Sequence, residues 1–183
     1  HYIMDDLSLL LWPRGVNNVT IYPKTISVYA LFLNDGAIIP GVKSGAAGLI
    51  YVGIGQGGEI SGGCHIKGKT ASHSPRRSLS SLLAKELRLR PIFIRKPSGA
   101  TTFKLDTASE RTLDHWMEQN LSVALHPLNA PAEYERSLIT HWQPPLNCDK
   151  KVCALNDQQQ FVLEQRENFK AHAAMLANER LGA

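Results

Sequence analysis

Cysteine is scarce, with three among 183 residues: Cys64, Cys148 and Cys153. An odd count with no framework spacing excludes a disulfide-stapled scaffold and points to reduced thiols in a cytoplasm. Cys64 and His65, with His73 nearby, hint at a metal. They lack the paired cysteines of a zinc knuckle, and a tetrahedral site needs four well-placed ligands. No apolar run approaches the length of a membrane span, and no signal peptide precedes the first charges, so no membrane partner is expected. Internal repeats and low-complexity tracts are also missing. What remains is ordinary globular material, 43% apolar and 20% charged, enough for one domain with a real core and an appended helix. Residues 1–3 read as a tag remnant, with Met4 as the native start.

The charge is +4 and the isoelectric point about 9.0, which permits an anionic partner without demanding one. Its distribution says more. Nine of the 20 lysines and arginines fall between Lys67 and Lys96, including Lys69, Arg76 and Arg77. A solvated face and a phosphate-binding face are both open readings of that stretch.

Along the chain, "KTISVYALFL" alternates and is rich in β-branched and aromatic residues, predicting a strand over 25–33. A glycine-rich connection leads to a second buried strand, "GLIYVGI", antiparallel to the first. The next segment, "GQGGEISGGCHIKGKTASH", reads as loop. Ser74-Pro75 opens a helix, with Leu79, Leu82, Leu83 and Leu87 on one face. A hairpin turns at Pro97-Ser98-Gly99. Thr107 with Glu110 forms a capping box for the following helix. "SVALHPL" is a strand, and "NAPAEYERSLITHWQ" a helix stopped by Pro144-Pro145. A long polar-rich helix starts at Asn156. The order β-β-α-β-β-α-β-α-α describes an α+β domain, a central mixed or antiparallel sheet flanked by helices, with a C-terminal helix.

Gly53-Ile54-Gly55-Gln56-Gly57-Gly58 follows a strand, as a phosphate-cradling loop would. No helix opens after it and no Gly-Lys-Ser/Thr ends it, so that reading fails. Arg76 and Arg77 occupy the first turn of a helix, where the dipole disfavours cations. An anion shared between them and the helix N–H groups explains the placement; the alternative is a salt bridge to a neighbouring carboxylate. Glu135 sits at the edge of a helix's apolar face, where it could hold a divalent cation or stand solvated. Tyr29 and Tyr51 are strand tyrosines, which ordinarily pack a core and anchor the hydroxyl on a neighbour.

Taken in order, "SVY" (27–29), "YVG" (51–53), a basic helix, "ERSLI" (135–139) and "PPLN" (144–147) resemble the GIY-YIG nuclease superfamily, from about Thr25 to Asn147. The resemblance implies three parts: residues 1–24 as an N-terminal extension, 25–150 as the nuclease-like domain and 151–183 as a helical extension. It implies Tyr29 and Tyr51 as paired tyrosines near the attacking water and His65 as the histidine after the second strand. Glu135 would bind Mg2+ or Mn2+, and Asn147 would steady the site. Lys67, Lys69, Arg76 and Arg77 become DNA contacts. The implied chemistry is metal-dependent hydrolysis of a DNA phosphodiester, and a homodimer could cut both strands. Three departures stand out. Ser27 replaces the first glycine of its triplet, the connection to the second triplet is long, and Gly63 occupies the place of the expected arginine. Either Arg76 or Arg77 substitutes from the helix, or the fold binds DNA without cutting it, or position 63 carries an inactivating change.

Overall fold

A computed structural model of the chain describes residues 14–15, 27–55, 70–148 and 154–182. Within them lie six strands and four helices. In order they are β1 (Arg14–Gly15), β2 (Ser27–Leu33), β3 (Leu49–Gly55), α1 (Ser74–Leu82), β4 (Pro91–Arg95) and β5 (Thr101–Leu105). There follow α2 (Thr107–Asn120), β6 (Leu121–Pro127), α3 (Pro131–Trp142) and α4 (Asp157–Leu181). This is the α+β succession expected, with the two-residue β1 added. Four strands form one sheet in the order β1-β6-β2-β3, and β4 pairs with β5 in a separate hairpin. Every pairing is antiparallel, which decides between the mixed and antiparallel alternatives.

The continuous apolar run of β2 is explained by its central place, with β3 on one side, β6 on the other and both faces covered. On one face, α3 packs Tyr134, Leu138 and Ile139 against Val28, Ala30, Phe32, Leu49 and Val52. On the other, Tyr29, Leu31 and Ile50 meet Leu79 of α1, Leu113 and Met117 of α2, and Phe103 of β5. Helix α4, the segment read as an extension, contributes Val162, Phe169 and Ala173 to that same cluster. Its Phe169 ring meets Phe103 edge-on, with centroids 5.1 Å apart, so the hairpin is fastened to α4. A shift in the β2–β3 register between Leu31 and Phe32 lets Ile50 and Tyr51 pack into one cluster. No helix among the described residues is long and apolar enough to cross a membrane.

Two local expectations need correction. Helix α1 ends at Leu82, short of Leu87. The chain then turns, with Leu89 N–H donating to Ala84 O at 2.9 Å and Arg88 at φ 52° in the left-handed region. Leu87 still packs against the core from that turn, which is why its spacing read as helical. The cap of α2 is Asp106, whose carboxylate accepts from Ser109 N–H at 2.8 Å. Thr107 is already helical, and Glu110 is engaged elsewhere. At α4 the full capping box forms, Asn156 with Gln159.

Candidate active site

The antiparallel register of β2 and β3 sets Tyr29 directly opposite Gly53 and leaves Tyr51 two residues away along β3. Residues two apart on a strand share a face, so both rings lie on one side of the sheet. Their centroids are 5.8 Å apart, with the planes tilted by 41°. Gly53 makes this possible. A Cβ there would meet Tyr51 Cε1 at 2.8 Å and the Tyr29 hydroxyl at 2.9 Å, well inside van der Waals contact. The glycine of "YVG" is therefore a seat for two phenols.

The pair is strongly perturbed. Burial first, then the neighbouring Tyr51, holds the Tyr29 phenol well above the usual tyrosine range, and Glu135 adds to the rise. Tyr51 is pushed up to about 12, chiefly by burial, with Glu135 raising it and Arg77 and Arg166 lowering it. The hydrogen bond between the two hydroxyls raises Tyr29 and lowers Tyr51. Both groups stay neutral at physiological pH.

Glu135, on the half-buried edge of α3, has its carboxyl pushed up by burial, with Arg136 pulling the other way. A carboxylate held in a poorly solvating place is one that a cation would relieve. The described residues contain no cluster of three or more His, Cys, Asp or Glu side chains that could hold a metal. One carboxylate with open positions is the donor set Mg2+ prefers, because that ion keeps water and takes substrate phosphate oxygens as further ligands. Asn147 acts on the scaffold. Its side-chain oxygen accepts from Val52 N–H at 2.9 Å and its amide nitrogen donates to Val52 O at 2.8 Å. Leu146 N–H donates to Ile50 O at 2.9 Å. Together they occupy the outer edge of β3 as another strand would, fixing the strand that carries Tyr51 and Gly53.

The two adjacent arginines part company. Arg76 is fully buried, its guanidinium bonded to Asp114 at 2.6 Å and Glu110 at 2.5 Å. Glu110 also accepts from the Thr70 hydroxyl at 2.8 Å and its backbone N–H at 3.0 Å. For Arg76 the salt-bridge alternative is the observed one, and it locks α1 to α2. Arg77 turns the other way, toward Tyr51. It donates to Ala71 O at 2.7 Å, and its guanidinium is lowered to about 10, by burial first and then by Arg166.

Arg166 escaped the sequence reading. Reaching in from α4, it donates to the Ser74 hydroxyl at 3.2 Å and lies 3.8 Å from the Cys148 sulfur. Its signal was available, since Arg166 and Lys170 stand one helical turn apart, on a helix that buries Val162 and Phe169. The structure thus pairs Tyr29 with Tyr51, leaves Tyr51 within electrostatic reach of Glu135 and Arg77, has Asn147 hold their strand, and sets Arg76 apart. His65, Lys67, Lys69 and Gly63 lie outside the described residues.

The family model described as the GIY-YIG catalytic domain matches residues 29–168. No curated protein and no solved structure matches the chain significantly. The matched span begins at Tyr29 and reaches into α4, past Arg166.

Proposed function

The chain belongs to the GIY-YIG catalytic-domain family, a nuclease family, and from that premise we propose that it is a DNA endonuclease dependent on Mg2+ or Mn2+. Glu135 is the protein ligand to the cation. When bound, the cation would neutralise charge on the phosphate and on the leaving oxygen. Arg77 takes the catalytic arginine's part in place of Gly63, its guanidinium meeting the charge that crowds onto the phosphorus-bound oxygens in the transition state. Tyr29 and Tyr51, both neutral, orient the attacking water through Tyr51. With its phenol pushed up to about 12, Tyr51 is a poor base, and His65 is the better group to accept the water's proton. Asn147 and Gly53 keep the tyrosines in place, and Arg76 keeps α1 in place.

The observation that carries this reading is the placement of Arg77. Its charge acts on Tyr51, whose phenol also feels Glu135, so cation, carboxylate and phenol share one field. A second reading, a module that binds DNA without cutting it, rests on Gly63 alone. One assay separates the two. Plasmid, linear duplex and single-stranded DNA are incubated with the protein and magnesium or manganese, beside Glu135→Ala. Cleavage lost in the variant and in chelator supports the nuclease. Binding without cleavage in any metal supports the module.

A further inference from the structure

Beside Arg77 lies a cleft of about 220 Å³ with an unusual lining. Arg77 forms one end, Lys96 and Thr102 of the β4–β5 hairpin form one wall, and Arg166 and Lys170 of α4 form the other. Glu167 is the one carboxylate against these four cations, and it is spent on Lys170 at 2.5 Å. Arg77 and Arg166 lie close enough to repel. Yet the hydrogen bonds that Arg77 and Arg166 make go to a carbonyl, a hydroxyl and a sulfur. Among the described residues no carboxylate pairs with either arginine to offset that repulsion; an anion entering the cleft would.

We propose that this cleft binds a backbone phosphate of the DNA strand next to the one being cut, so that the β4–β5 hairpin and α4 form a track for that strand. The inference rests on the DNA-cleaving reading above and adds a second phosphate site to it. Three features favour a strand over a small anion. Arg77 belongs both to the cleft and to the tyrosine site, so the two are continuous, as neighbouring phosphates on one strand are. The cations are spread along two walls rather than converged on one point. Lys96 is exposed and Lys170 half-buried, an arrangement suited to flexible backbone contacts that fix register without reading bases. The Phe103–Phe169 contact beneath them holds the two walls at a fixed separation.

The test is duplex binding by fluorescence anisotropy in chelator, across a salt series, for wild type, Lys96→Ala/Lys170→Ala and Arg166→Gln. Arg111→Ala, an exposed arginine on α2 away from the cleft, serves as the control. Each lost phosphate contact should make the plot of log affinity against log salt shallower by roughly 0.9. The double variant is therefore expected to lose one to two units of slope, by about that rule, with Arg111→Ala unchanged. Arg166→Gln could disturb folding through Ser74, but exposed Lys96 and half-buried Lys170 leave the double variant interpretable. A wild type that binds and cleaves, with slopes unchanged in the double variant, overturns the track and leaves the nuclease standing. A wild type that does not bind DNA overturns both. Inorganic phosphate at constant ionic strength covers the free-anion alternative. If it raises the melting temperature of wild type but not of the double variant, while the DNA slopes match, the cleft is a small-anion site and the track is refuted.

Discussion

Gly53→Ala adds one methyl group, and its effect can be worked out from the geometry. The backbone at Gly53 needs no left-handed conformation, so alanine is allowed there by φ and ψ, and the whole effect is steric. The new Cβ would sit 2.8 Å from Tyr51 Cε1 and 2.9 Å from the Tyr29 hydroxyl. Carbon atoms in good contact stand about 3.5 Å apart or more. Some side chain must therefore retreat by more than half an ångström. Tyr29 is 1% exposed and walled in by the core, whereas Tyr51 is only partly buried and can yield. Overpacking of this kind costs about 1–3 kcal/mol, and a catalytic group displaced by about 1 Å can cost 10²-fold in rate. The expected result is a modest fall in melting temperature with a much larger fall in kcat/KM, DNA affinity being nearly unchanged. Thermal melts, anisotropy and single-turnover cleavage read these three quantities separately. Wild-type cleavage by Gly53→Ala, with its melting temperature intact, would refute the claim that Gly53 seats the tyrosine pair.

Arg77→Ala and Arg76→Ala should fail in opposite ways. Removing Arg77 takes charge from the reacting phosphate and should cost about 10²–10³ in cleavage rate, while relieving the repulsion with Arg166 and leaving the melting temperature equal or higher. Removing Arg76 strands Glu110 and Asp114 beside the core and should cost about 3–5 kcal/mol of stability; equal losses of stability in the two variants would contradict these roles. Glu135 gives a pH signature. Its folded pKa is raised, so it adds stability below the ordinary glutamate pKa, and that contribution is lost as pH rises through the folded value. Glu135→Gln should therefore melt higher than wild type in metal-free buffer at neutral pH and lose that advantage in acid. An advantage that persists unchanged into acid would show that burial of the charge is not its origin.

Much of this was legible in the chain. The strands around "SVYALFL" and "GLIYVGI", the hairpin at Pro97-Ser98-Gly99 and the helix from Asn156 all carry local signals strong enough to survive tertiary context. An ordered set of short motifs singled out Glu135 and the two tyrosines, and the tyrosine rings do meet in the fold. The division between Arg76 and Arg77 could not. Adjacent residues on a helix point about 100° apart, and which of them meets a carboxylate depends on where α2 lies. That partner is formed by Glu110 and Asp114, 34 and 38 residues further on. The same Glu110 is why the expected capping box failed. Its carboxylate accepts from Thr70 and pairs with Arg76, and Asp106, one residue before the helix, took the cap. Arg166 was missed because a cationic helix face reads as solvated until the packing of α1 against α4 brings it beside Arg77.

The central claim is that Glu135 holds a divalent cation at a DNA phosphate beside Arg77 and the tyrosine pair. Single-turnover cleavage of prebound duplex, started by magnesium and followed for wild type and Glu135→Ala, tests it most directly. The account predicts a rate that saturates with magnesium in wild type and is absent in the variant, with DNA affinity in chelator the same for both. Equal cleavage by the two proteins, or a wild type that binds duplex yet never cuts it with magnesium or manganese, would contradict it.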